Sequence, residues 1–261
     1  MSRNFTNEEL SKMLYEALKI QKPIDVISDI DNEVTVEDAY DIQLLNVKRA
    51  LEDGEIVTGK KIGLTSKGMQ ELLGITEPDY GHLYKSTEVK NGGTIDTKTL
   101  IRPKVEGEVA FVLKEDLKGP GITVEDVYKA TEYICASIEI VDSRIKDWKI
   151  KLVDTIADNG SSALYILNDK KVKIDDVSLP DIRMTLYKNG EVVNSGTGKD
   201  VLGNPAISVA WLANKLCEYG ITLKKGEVIL SGAITASPEA FKGDMFECVF
   251  PELGNVKVEF K

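Results

Sequence analysis

The chain has 261 residues, 42% hydrophobic and 29% charged, with a formal net charge of −10; this is the composition of an ordinary globular protein able to bury a full core. The acidic balance, with no basic run to offset it, argues against a nucleic-acid partner, because phosphate binding needs a positive surface. A small anionic substrate stays open, since a metal ion or a few cations reverse the potential locally.

In chain order, the amino terminus through Leu10 lacks an apolar signal core, and no segment approaches the roughly 18 apolar residues of a membrane span. Thr6-Asn-Glu-Glu9 has the form of a capping box and leads into Leu10, Met13, Leu14, Ala17 and Leu18, which share a helical face. A second box, Thr35-Val-Glu-Asp38, precedes a helix through Tyr40, Leu44, Val47 and Leu51 that ends at Glu52-Asp53-Gly54. Both helices read as scaffold.

Gly59-Lys60-Lys61-Ile62-Gly63-Leu64-Thr65-Ser66 precedes a short predicted helix. It reads either as a surface lysine pair or, with one lysine partly desolvated near a metal, as a proton shuttle of lowered pKa; Lys60 is then the solvated member. The spacing of a Walker motif is absent. Asp79 lies in Glu77-Pro78-Asp79-Tyr80-Gly81-His82-Leu83, a predicted turn where a short side chain caps the backbone. His82 is the only histidine, and no serine in a nucleophile-elbow setting accompanies it, which speaks against a hydrolase triad.

From about residue 80 the texture changes to β-branched runs. In Val105-Glu106-Gly107-Glu108-Val109-Ala110-Phe111-Val112 the period of two sends both glutamates to one face, roughly 7 Å apart. Glu139 is flanked by apolar residues in a second predicted core strand, Ile134 to Val141. Burying unpaired carboxylates costs on the order of several kcal/mol per ion, so a positive partner is expected among them. Oxygen-only ligands favour a hard ion, Mg²⁺ or Mn²⁺. The competing explanations are a half-exposed sheet whose glutamates face solvent, or pairing with Arg102 and Arg144.

Further along, Asp158-Asn159-Gly160-Ser161-Ser162 and Asn194-Ser195-Gly196-Thr197-Gly198 read as polar loops, ordinary turns or anion sites. Asn189-Gly190 between Met184–Tyr187 and Val192-Val193 is a hairpin signal. A helix runs from Pro205 towards Gly220, and strands are predicted at 227–231, 245–250 and 255–260. Cys135, Cys217 and Cys248 are odd in number and set in apolar contexts, which suggests reduced core thiols and a cytoplasmic protein. The expected organisation is α+β, with a helical amino-terminal α/β portion (1–80) on a β-rich catalytic core (81–261).

Seven ordered segments resemble the hydratase and decarboxylase family of meta-cleavage catabolism, within the fumarylacetoacetate hydrolase superfamily. They are Ala39-Tyr-Asp-Ile-Gln43, Lys61-Ile-Gly-Leu-Thr-Ser66, Glu77-Pro-Asp-Tyr-Gly81, Glu106-Gly-Glu108, Glu139-Ile-Val-Asp-Ser-Arg144, Ala157-Asp-Asn159 and Val201-Leu-Gly-Asn-Pro205. The resemblance spans nearly the whole chain. It implies a mixed β-sandwich roll with an amino-terminal α/β portion, assembled into homo-oligomers and possible complexes with a neighbouring pathway enzyme. It also implies Glu106, Glu108 and Glu139 as metal ligands, Lys61 as acid/base, Asp79 as its helper, and Ser161, Leu64 and Thr65 as substrate contacts. The family often has alanine where this chain has Gly160, a departure that bears on the local loop shape.

The family contains two related activities, hydration of 2-hydroxypenta-2,4-dienoate and decarboxylation of 4-oxalocrotonate. Arg144-Ile-Lys-Asp-Trp148 and Val153 to Asn159 look like the hydratases, whereas Asp142 and Ala233-Ile-Thr-Ala236 look closer to the decarboxylases; hydration is favoured. Two other readings are an acylpyruvate hydrolase, for which His82 is the sole candidate base, and a non-catalytic subunit, against which stands the presence of every ligand and the lysine.

Overall fold

The computed structural model describes residues 3–66, 68, 70–71 and 75–261. Both predicted capping boxes form. Thr6 Oγ1 accepts from Glu9 N–H while Glu9 reaches back to Thr6 N–H, starting α1 (Asn7–Ile20). The same exchange between Thr35 and Asp38 starts α3 (Val36–Glu52), after a single-turn α2 (Ile27–Ile30). Leu10, Leu14 and Ala17 are buried, but Leu18 and Leu51, near the helix ends, are half exposed. Tyr40 of α3 stacks on Tyr80 with ring centroids 4.7 Å apart.

Among the described residues the strands form two sheets, in keeping with the α+β expectation. The larger has the order β2(Asp79–Tyr84), β1(Val57–Gly63), β10(Val228–Leu230), β5(Lys104–Leu113), β6(Thr131–Val141), β7(Ser162–Leu167) and β3(Glu88–Val89). The smaller has the order β4(Thr94–Ile95), β12(Gly254–Phe260), β11(Met245–Phe250), β8(Arg183–Lys188) and β9(Glu191–Thr197). β1, from the amino-terminal part, and β2, which straddles residue 80, thus belong to the same sheet as β5 to β7. Val109 and Phe111 of the large sheet share one apolar core with Met184, Leu186, Phe246 and Cys248 of the small one.

The large sheet curls strongly. Thr58 on β1 and Tyr165 on β7 are four strands apart, about 19 Å in a flat sheet, yet their hydroxyls are 3.0 Å apart. The concave face therefore closes on itself. At one end it is lined by Leu83, Ala110, Val112, Cys135, Tyr165, Val228 and Leu230; the other end is polar.

Further helices among the described residues are α4(Val124–Ala130), α5(Leu152–Ala157) and α6(Pro205–Cys217). Asn194 to Thr197, expected in a loop, belongs to β9, and Asp79, expected in a turn, opens β2. The short helix expected after Ser66 falls on a stretch in which residues 67, 69 and 72–74 lie outside the described residues. Among the described residues, no helix is long and apolar enough to cross a membrane.

Candidate active site

Cross-strand partners share a face of a sheet, as do residues two apart on one strand. Lys61 pairs with Leu230, Leu230 with Ala110, and Glu106 with Glu139. Lys61, Glu106, Glu108 and Glu139 therefore all point into the concave face. One carboxylate oxygen from each glutamate lies within 4.8 Å of the other two. Glu108 and Glu139 are fully buried, so neither faces solvent. The proposed arginine partners are engaged elsewhere: Arg102 pairs with Glu239 and Arg144 with Asp158.

The segment after β10 runs beside β5, with Ser231 N–H donating to Val109 O, Ile234 N–H to Gly107 O, and Val105 N–H to Pro238 O. This segment grips two of the glutamates. Gly232 N–H donates to Glu108 Oε2 at 2.7 Å, and Ser237 Oγ donates to Glu106 Oε1. Glu108 Oε1 and Glu139 Oε1 have no hydrogen-bond partner among the described residues. Burial, reinforced by Glu139 and Glu106, raises the Glu108 carboxyl well above its usual range. Burial likewise lifts Glu139 to about 7, against the opposing pull of Lys61. Three converging carboxylates with orphaned oxygens are a donor set that fits a hard divalent cation.

Lys61 Nζ stands 2.9 Å from Glu139 Oε2 as an ion pair whose angles fall outside a hydrogen bond, and it donates to Gly160 O at 3.1 Å. The expected depression of its pKa is not found. Burial acts to lower it, but Glu139, Glu106, Asp79 and Glu108 raise it further, and the net shift is upward. A dication among the three glutamates would cancel much of that negative field.

Asp79 is buried on the same face; Thr155 Oγ1, from α5, donates to its Oδ2 at 2.8 Å, while Oδ1 is unpartnered. Burial raises its carboxyl despite Lys61. Thr65 packs against Gly232, the residue whose N–H holds Glu108. Leu64 has a left-handed backbone (φ 56°). Ser161 Oγ donates to Asp158 Oδ2 at 3.3 Å.

The two lysines are not a surface pair. Alternation sends Lys60 to the opposite face, where it is buried and salt-bridged to Glu227 at 2.7 Å. His82 pairs with Lys60 across the β1–β2 ladder and so points away from Lys61. Burial first, then Lys60, depresses its imidazole to about 3, and Nδ1 meets Gln43 Oε1 at 3.2 Å. It is a structural residue, which removes the candidate base of the hydrolase reading. Sequence reasoning missed Thr155, Gly232 and Ser237, whose roles depend on contacts far apart in sequence.

The family model described as fumarylacetoacetate (FAA) hydrolase C-terminal matches residues 78–261. The chain is 44% identical over 255 residues to a 2-hydroxyhexa-2,4-dienoate hydratase of Comamonas testosteroni, covering 97% of each. It is 41% identical over 254 residues to a 2-keto-4-pentenoate hydratase of Paraburkholderia xenovorans, covering 97% of this chain and 94% of that one. The fold superposes with a TM-score of 0.95 on 4-oxalocrotonate decarboxylase from Pseudomonas putida G7, solved with magnesium and adipate, at 35% identity and full coverage of both chains. The chain belongs to the hydratase and decarboxylase family within the fumarylacetoacetate hydrolase superfamily.

Proposed function

We propose that this chain is a divalent-metal-dependent hydratase that adds water to 2-hydroxypenta-2,4-dienoate, giving 4-hydroxy-2-oxopentanoate. The observation that carries the proposal is the buried trio Glu106, Glu108 and Glu139, with orphaned oxygens, beside the Lys61 amine. The two hydratases noted above support the choice of reaction, and the magnesium of the decarboxylase complex supports the choice of ion. In this reading the three glutamates hold Mg²⁺ or Mn²⁺. When bound, the cation supplies a Lewis acid for the chelating carboxylate and 2-oxygen of the substrate, drawing electron density to that end.

This chain's residues handle the protons. Lys61 Nζ, steadied by Asp79, delivers a proton to C5 as the dienol gives up its 2-hydroxyl proton, forming a 2-oxo-3-enoate that is electrophilic at C4; the hydroxyl of water adds at C4 and its remaining proton goes to C3. Such a group is typically worth about 10²- to 10⁴-fold in rate. Ser161, Leu64 and Thr65 orient the substrate. The two curled sheets are assigned as the β-sandwich roll of the superfamily, and homo-oligomeric assembly in the cytoplasm belongs to the same proposal.

The second reading is 4-oxalocrotonate decarboxylation, favoured by the likeness to the decarboxylase. Both reactions use one electron sink and differ at the far end of the substrate. The test is the purified chain with Mg²⁺ and the dienoate: loss of ultraviolet absorbance with 4-hydroxy-2-oxopentanoate as product supports hydration, and no metal-dependent loss contradicts it.

A further inference from the structure

Asn159, Gly160 and Ser161 have φ of 56°, 59° and 54°, three consecutive left-handed residues of which two carry side chains. Left-handed backbone costs an L-residue about 1–2 kcal/mol, so such a run persists only where its surroundings impose it. Two clamps do so here. On one side the Asn159 side chain mimics a strand partner for β2, accepting from His82 N–H at 2.7 Å and donating to His82 O at 3.0 Å. At Gly81, a Cβ would stand 2.1 Å from Asn159 O, so only glycine admits this approach.

The other side is a buried ion pair. Arg144 Nε donates to Asp158 Oδ1, Nη1 to Asp142 O at 2.7 Å and Ser162 O at 3.0 Å, and Nη2 to Asp158 O. Asp158 Oδ2 in turn accepts from Arg144 N–H, Ser143 Oγ and Ser161 Oγ. Both side chains are almost fully buried, and none of these hydrogen bonds goes to the three glutamates. The guanidinium thus ties the residues on both flanks of the left-handed turn to the end of β6.

The turn meets the proton-transfer lysine at the Gly160 carbonyl, which accepts from Lys61 Nζ. A Cβ on Gly160 would lie 2.9 Å from Lys61 Cδ, so the lysine stem runs past this residue with no room between them for a side chain.

We propose that Arg144 and Asp158 are positioning residues for the proton-transfer lysine: they hold the Asn159–Ser161 turn so that Gly160 O fixes the Lys61 amine against Glu139. This rests on the role given to Lys61 above. The geometry separates it from ligation, because the pair supports the amine without a hydrogen bond to the carboxylate trio.

The test uses Asp158→Asn, near-isosteric but uncharged, and Arg144→Lys, which keeps the buried charge and loses the planar fork. Each is assayed with Mg²⁺ alone by calorimetry, with the dienoate for kcat and KM, and by crystallography, kcat being taken per metal-binding molecule so that partial unfolding does not count. The expected result is a loss of kcat of at least tenfold, a change in Mg²⁺ affinity under threefold, and a displaced Gly160 carbonyl. In a Lys61→Ala background the same substitutions should change residual kcat by less than twofold, since contacting residues in one network are not additive. Undiminished kcat in whichever variant folds, or an equal loss with and without Lys61, overturns the proposal. Failure of the functional reading shows differently: wild-type enzyme inert towards the dienoate, with the position of the Lys61 amine in the variants then judged from the crystals alone, where an unmoved amine overturns the proposal.

Discussion

Glu106 and Glu139 stand directly opposite each other in the β5–β6 ladder, where facing Cβ atoms are about 5 Å apart and like charges repel. With Glu108 two residues along the same strand, the register concentrates three acids at one spot of the concave sheet face. A protein without a cation there would gain by losing one of them.

Glu108→Gln should accordingly leave the metal-free protein as stable as wild type or more so, because it removes an unpaired buried carboxylate without changing volume. It should also abolish the stabilisation by Mg²⁺, which for a ligand at 100 times its dissociation constant is about 2.7 kcal/mol. Thermal unfolding with and without Mg²⁺ measures both. A Mg²⁺-dependent rise in Tm equal to that of wild type would remove Glu108 from the site.

Ser237→Ala frees Glu106 Oε1 from its hydrogen bond and should weaken metal affinity by roughly 10- to 100-fold, the usual effect of losing a group that orients a ligand. Calorimetry with Mg²⁺ reads this directly. Unchanged affinity would mean that Glu106 needs no such support.

Lys60 and Lys61 should fail in different ways. Lys61→Ala is expected to cut kcat by about 10²- to 10⁴-fold while metal binding persists. Lys60→Ala breaks the pair with Glu227 and should cost about 3 kcal/mol of stability with kcat per folded molecule near wild type. Equal losses of kcat in the two variants would contradict the assignment.

That contrast also shows what the sequence made legible. An apolar setting around Glu106, Glu108 and Glu139 was enough to mark them, because period-two alternation and burial are local patterns. The capping boxes at Thr6 and Thr35 and the strand 245–250 were legible for the same reason. Thr123-Val-Glu-Asp126 repeats the Thr35 box and does cap α4; the signal was present and went unread. Lys60 was misjudged because alternation separates two faces without telling whether either is wet, and here helices cover one while the sheet curls over the other. Ser237 with Glu106 and Thr155 with Asp79 are 131 and 76 residues apart, contacts that depend on the curl and leave no local pattern. The left-handed turn at Asn159–Ser161 is set by its clamps, since only its central residue is glycine.

His82 should make stability depend on pH. Its imidazole stays neutral in the folded protein down to about 3, whereas in the unfolded chain it takes up a proton below about 6.5. Stability from this group is therefore fully present above that upper value and lost as pH falls towards the lower one, by about 2 kcal/mol at pH 5. Denaturant unfolding of wild type and His82→Gln between pH 7 and pH 5 checks this; the variant should show the shallower fall, and parallel slopes would refute it.

The measurement that tests the central claim most directly is kcat/KM for 2-hydroxypenta-2,4-dienoate hydration and for 4-oxalocrotonate decarboxylation, on the same Mg²⁺-loaded preparation, with products identified. Both substrates offer the metal the same chelating oxygens, so binding at that end cannot separate them, and discrimination must arise at the far end. A difference of about 1.4 kcal/mol in transition-state binding there gives a tenfold preference. The expected result is hydration faster by at least that factor, with 4-hydroxy-2-oxopentanoate as product. Faster release of carbon dioxide from the dicarboxylate, with little hydration of the dienoate, would contradict the proposed reaction.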